Sequence, residues 1–124
     1  MKSNESAENY LETILILSKK KPVVRSVDIA DELGFKKSSV SVAMKNLKAN
    51  NYITVDGNGS INLTETGLEI ANKIYERHTF LTNWLTAIGV NPATAADDAC
   101  KMEHAISAES FSAIKKYIAK NPAE

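Results

Sequence analysis

Cys100, Glu103 and His104 stand at i, i+3 and i+4 in the stretch Cys100-Lys101-Met102-Glu103-His104. On a helix, that spacing stacks three side chains on one face. A thiolate, a carboxylate and an imidazole form a soft-to-borderline donor set for a divalent transition metal. The spacing also admits a plainer arrangement, in which Cys100 is a small core residue, Glu103 an exposed charge and His104 a satisfied interior histidine.

The elements around this stretch decide what else can reach it. Thr66 and Gly67 open a long helical stretch that runs to about Ile88. Its residues Leu68, Ile70, Ala71, Ile74, Tyr75, Phe80, Leu81, Trp84 and Leu85 carry more apolar surface than an exposed connector needs, so it should bury against another helix of this chain or of a second copy. Gly89 ends it, and Asn91 with Pro92 makes an N-cap and first-turn pair for a helix reaching His104. Ser107 caps a final helix in which Phe111, Ile114 and Ile118 face one way. Two antiparallel helices joined at Gly89 bring His78, mid-way along the first, towards His104 near the end of the second. Taken alone, His78 also reads as a boundary residue of an amphipathic helix. Asn9 and Glu12 lie three apart on the first helix, on a face expected to look away from the core, and offer a further contribution. Carboxylate, imidazole and one sulfur suit Fe(II), Mn(II), Co(II) or Zn(II).

The length of 124 residues allows one compact domain, or a small domain with a helical extension. Ile14 to Leu17, the longest apolar run, is far too short to span a bilayer. No apolar segment follows a basic start at the N-terminus, so no signal peptide is visible, and a single cysteine fits a reducing cytoplasm. Charge balances, with 15 basic and 15 acidic residues, but it is not evenly spread. Between Glu32 and Asp56 there is no acidic residue, while Lys36, Lys37, Lys45 and Lys48 are all positive. A phosphate backbone responds to that local face rather than to the total.

The front half explains the lysines. Ser6 to Ser18 reads as a helix with an apolar stripe of Tyr10, Leu11, Ile14, Leu15 and Leu17, ended by Lys19-Lys20-Lys21-Pro22. Ser26 is the expected N-cap of a short helix whose Ile29, Ala30 and Leu33 share a face, and Gly34 supplies the left-handed turn. A second helix begins at Lys37, with Val40, Ala43, Met44 and Leu47 inward. Ser38, Ser39, Ser41, Val42, Lys45 and Asn46 face outward, where small hydroxyl side chains allow close approach to a DNA groove. Tyr52–Val55 and Ser60–Leu63 are strand-like runs joined by Asp56-Gly57-Asn58-Gly59, a hairpin turn. Helix-turn-helix followed at once by a hairpin is a winged helix. A small α+β domain with no DNA role is the alternative.

The order Ala7-Glu8-Asn9-Tyr10-Leu11-Glu12-Thr13-Ile14, a winged helix, Arg77-His78 and Cys100-Lys101-Met102-Glu103-His104-Ala105-Ile106-Ser107 resembles the DtxR/MntR family of metal-dependent transcriptional repressors. The resemblance runs from about Ser6 to Ile118 and includes the Thr64-Glu65-Thr66-Gly67 step after the wing. It implies metal ligation by Glu103 and His104. Cys100 matches a cysteine of the iron-sensing branch, where the manganese branch carries glutamate, and Glu12 and His78 match ligands of the manganese branch. Asn9 stands where the iron branch has methionine and the manganese branch aspartate; its neutral amide oxygen is a weak ligand. Thr82 and Ala96 replace the ancillary-site carboxylate and histidine of the iron branch. The resemblance is to the shorter, two-domain form of the family and implies no SH3-like third domain of the kind the longer members carry.

These observations predict a mainly α protein, with a winged helix-turn-helix DNA-binding domain over residues 1–64 and an all-helical metal-binding and dimerisation domain over residues 65–124. The expected function is a homodimeric repressor controlling metal homeostasis in the cytoplasm, with double-stranded operator DNA as partner and no membrane role. Its cofactor is Fe(II) or Mn(II), with iron favoured by the thiolate, while Zn(II) or Co(II) bind in vitro. Ser38, Ser39, Ser41, Val42 and Asn46 are expected near base edges, and Arg25, Lys36, Lys37 and Lys45 on phosphates. Two rivals are a winged-helix regulator without metal sensing and a metalloenzyme using His78, Glu103 and His104. The second lacks any evident general base, oxyanion donor or substrate pocket, so no enzyme activity is expected.

Overall fold

The computed structural model describes residues 5–120, so the first and last four residues of the two expected domains lie outside the described residues. In chain order the elements are α1 (Glu5–Lys20), α2 (Ser26–Leu33), α3 (Lys37–Ala49), β1 (Ile53–Val55), β2 (Ile61–Leu63), α4 (Glu65–Ala87), α5 (Pro92–Ala105) and α6 (Ala108–Lys120). The fold is mainly helical, with one small antiparallel sheet. By packing, the chain forms two units, Met1–Lys73 and Ile74–Glu124, which divide within α4.

In the first unit α1 packs on α2 and β2, α2 on α3, and α3 on β1. Leu11, Ile14, Ile29, Val40, Met44, Leu47, Ile53 and Ile61 are all buried there. Gly34 ends α2 at φ +70°, a left-handed conformation in which glycine meets no Cβ penalty. The hairpin pairs Ile53 with Leu63, Thr54 with Asn62 and Val55 with Ile61. Its turn is held by the Asp56 carboxylate, which accepts from the Asn58 and Ser60 amides, both at 2.9 Å. The Ile61 amide also donates to the Val24 carbonyl at 2.8 Å, tying the wing to the α1–α2 connection.

Three sequence expectations need correction here. Ser26 is the first helical residue of α2 rather than its cap; Arg25 is the cap, and its amide donates to the Asp28 carboxylate at 2.9 Å. Asp28 takes over the terminus because a carboxylate at the third helical position reaches back to the cap amide. Glu12 does not look outward: Tyr10 through Leu15 are all buried, because α1 is packed on more than one side. The strands are shorter than expected, Ile53–Val55 and Ile61–Leu63, although the Thr64 amide carries the pairing one step further by donating to the Tyr52 carbonyl at 3.0 Å where α4 begins.

In the second unit Leu81, Ala99 and Phe111 form a core against which Phe80, Trp84, Met102 and Ile106 pack. Phe80 and Phe111 meet edge to face, with ring centroids 5.5 Å apart. Asn91 caps α5, its side chain accepting from the Ala93 amide at 2.9 Å, with Pro92 in the first turn. Ser107 accepts from the Ser110 amide at 3.0 Å and so caps α6. Of the three residues expected to face inward on α6, Phe111 is buried, while Ile114 and Ile118 are half-buried.

Candidate metal centre

α5 presents Glu103 and His104 in its last turn, and α4 presents His78. The Glu103 carboxylate is fully buried, yet it is not isolated. Its Oε1 lies 2.9 Å from Nδ1 of His78, and its Oε2 lies 3.3 Å from Nε2 of His104. An ionised carboxylate only accepts, so the His78 contact is an Nδ1–H donated to Glu103. The His104 side chain is 4% exposed and that of His78 29%, so the cluster is closed on one side and open on the other.

This donor set fits a divalent cation. A charge as deeply buried as Glu103 needs paired partners, since stripping its hydration costs several kcal/mol in round terms. His78 hydrogen-bonds one carboxylate oxygen, while the other, Oε2, lies 3.3 Å from His104 Nε2 and makes no hydrogen bond; these nitrogens and oxygens are borderline and hard donors for Mn(II), Fe(II) or Zn(II). Cys100, one turn earlier on α5, is exposed. Glu12 is a buried carboxylate of the first unit, and Asn9, one turn before it on α1, is half-buried.

One residue of the centre has no counterpart in the sequence expectations. Arg77, buried beside His78 on α4, donates from Nη1 to the carbonyls of Glu103 at 2.9 Å and Ile106 at 2.8 Å. Its guanidinium carbon lies 5.5 Å from the centroid of the Phe111 ring. The only sequence signal was its place next to His78.

The expected groove-reading face lies wholly in the first unit. Ser38, Ser39, Ser41, Val42, Lys45 and Asn46 are all exposed on α3, and so are Lys36 and Lys37 where it begins. Val42 is 59% exposed and stands as an apolar side chain among these polar ones. Arg25 is exposed as well, and its Nε donates to the Asn58 carbonyl at 3.0 Å, so it also steadies the wing turn. Lys21 and Asp28 form an ion pair at 2.8 Å beside it. The hydrogen bond with Lys21 and then that with the Arg25 amide hold the Asp28 carboxyl below its ordinary range, while Asp28 raises the Lys21 ammonium.

The chain is similar to known proteins along most of its length. Residues 2–61 match the family profile described as iron dependent repressor, N-terminal DNA binding domain, and residues 64–123 match iron dependent repressor, metal binding and dimerisation domain. The chain is 33% identical over 119 residues to an uncharacterised helix-turn-helix type transcriptional regulator of Methanocaldococcus jannaschii, covering 94% of this chain and 95% of that protein. It is 34% identical over 109 residues to the transcriptional regulator MntR of Listeria monocytogenes, covering 88% of this chain and 77% of the relative. A solved manganese-dependent transcriptional repressor in complex with manganese shares the fold, with a TM-score of 0.82 at 23% identity. That alignment covers 91% of this chain and 52% of the solved protein, so the chain spans about half its length. No helix among the described residues is long and apolar enough to cross a membrane.

Proposed function

The chain belongs to the DtxR/MntR family of metal-dependent transcriptional repressors, and from that premise we propose how its own residues divide the work. His78, Glu103 and His104 hold a divalent ion, with Cys100 as a fourth donor from α5. Glu12 joins from α1, with Asn9 as a weaker oxygen donor. The observation that carries this reading is the buried Glu103 carboxylate, set between His78 at 2.9 Å and His104 at 3.3 Å.

The ion, when bound, supplies a positive centre that draws anionic and lone-pair donors together. Glu103 and Glu12 contribute charge; His78 and His104 contribute neutral ring nitrogens and must shed any proton from the donating atom. The DNA-competent arrangement gains only by as much as it binds the ion better than the open one. A thiolate favours Fe(II) as the resident ion, and a set reduced to oxygen and nitrogen favours Mn(II).

Two copies of the chain, paired through their helical units, present α3 twice to successive major grooves of a palindromic operator. Ser38, Ser39, Ser41, Val42 and Asn46 read base edges, and Arg25, Lys36, Lys37 and Lys45 hold phosphates. The protein acts in the cytoplasm and performs no catalysis. A mobility-shift titration on its own promoter DNA tests the reading, with Fe(II), Mn(II) or chelator as the arms. Tight binding only with metal is expected; equal binding in chelator defeats the sensor and favours a winged-helix regulator without metal.

A further inference from the structure

Arg77 is 6% exposed, and the partners that hold its charge are backbone carbonyls. Those carbonyls belong to Glu103, in the last turn of α5, and Ile106, its C-terminal cap. The last four carbonyls of a helix have no partner inside it, and the helix dipole is negative at that end. A guanidinium there satisfies both demands. Phe111 of α6 covers it from the other side, with its ring centroid 5.5 Å from the guanidinium carbon.

Glu103 is thereby fastened to α4 twice. Its main chain is held by Arg77 and its side chain by His78, the next residue along. Without the first fastening, the end turn of α5 would lose the donor that holds one buried and one half-buried carbonyl, and would fray. The spacing of the two imidazoles about the carboxylate would go with it. We propose that Arg77 is a positioning residue of the metal centre: it touches no ion, but it fixes the turn of α5 that carries Glu103 and His104 against the turn of α4 that carries His78. The inference rests on the metal reading given above.

The test is Co(II) titration of the purified full chain, read by visible absorption, with circular dichroism and thermal midpoint measured in chelator. Arg77→Met keeps an apolar stem over Phe111 and removes the donors. It should bind Co(II) about 10- to 100-fold more weakly with altered bands, the usual range for losing a group that orients a ligand. Arg77→Lys, which keeps charge and donors, should recover part of the loss. Lys115→Met is the control, since Lys115 shares the Phe111 ring at 5.3 Å but pairs with Glu76, and it should bind as wild type does. Failure of the wild-type chain to take up Co(II) overturns the metal reading itself. Wild-type uptake with equal affinity in Arg77→Met overturns only the positioning role, as do equal losses in Arg77→Met and Lys115→Met. Should Arg77→Met not fold in chelator, Arg77→Lys decides: shifted bands with weaker binding support the role, and wild-type bands and affinity overturn it.

Discussion

Gly67 runs directly beneath the carbonyl of Tyr52: a Cβ built on Gly67 would stand 2.0 Å from that oxygen and 2.9 Å from its carbon. The approach is fixed by hydrogen bonds on both sides. The Thr64 amide donates to the same carbonyl at 3.0 Å, the Thr64 hydroxyl donates to the Asn51 carbonyl at 2.7 Å, and the Gly67 amide donates to the Thr64 hydroxyl at 3.1 Å. The atoms that Gly67 approaches are main chain, which cannot yield as a flexible side chain can.

Gly67→Ala should therefore cost about 1–3 kcal/mol, the usual range for overpacking, despite alanine's better helix propensity. Gly57→Ala is the matched control, because nothing lies within 4 Å of a Cβ there. Thermal denaturation of the two variants checks this; a Gly67→Ala midpoint equal to that of wild type would show that the junction relaxes.

The terminal signals were readable because each acts over a few residues. Gly34, Asn91-Pro92, Ser107 and the Asp56–Gly59 turn do locally what their side-chain chemistry dictates. The spacing of Glu103 and His104, with His78 on the preceding helix, was readable for the same reason. Arg77 was not, because its acceptors are carbonyls 26 and 29 residues away, and any residue can supply a carbonyl. Nor was the Gly67 approach, which depends on how two main-chain segments meet. Ser26 misled because two adequate ways to cap α2 competed, and Asp28 reached the cap amide.

Glu103→Gln should separate fold from metal response. Glutamine keeps the shape and can still accept from His78, but it removes the negative charge that an ion needs at this fully buried point. Metal-dependent DNA binding should fall by at least about tenfold, the lower range for a disturbed ligand set, while the metal-free protein keeps its helical circular dichroism. A mobility shift with an unchanged metal response would remove Glu103 from the ligand set.

The acid limb of stability should report on the Lys21–Asp28 pair. Asp28 has a folded pKa held below its ordinary value, chiefly by the Lys21 hydrogen bond and then by the Arg25 amide. Its contribution is therefore present above the unfolded carboxylate value, about 4, and is lost as pH falls through the lower folded value. Lys21 has the opposite sign, contributing below its ordinary value and losing that contribution as pH rises through the raised one. Asp28→Ala should lower stability at neutral pH by about 1 kcal/mol through the lost cap. It should also flatten the stability curve below about pH 5, where the wild-type Asp28 carboxylate progressively takes up its proton. Urea denaturation at stepped pH measures this; parallel curves for variant and wild type would refute it.

Lys45 and Asn46 are adjacent on the exposed face of α3 and should fail in different ways when replaced. A lysine on a phosphate acts through counterion release, so Lys45→Ala should weaken binding to every sequence alike. It should also reduce the slope of log affinity against log salt by about 1 per subunit. An amide reading a base edge acts through hydrogen bonds that only the right base completes. Asn46→Ala should therefore leave the salt slope almost unchanged and relax preference at one operator position, by about 1–3 kcal/mol. Fluorescence anisotropy over a salt series, with operator and scrambled duplexes in saturating metal, distinguishes the two. A common loss of slope in both variants would mean that Asn46 serves the backbone, leaving sequence choice to the serines of the first turn and to Val42.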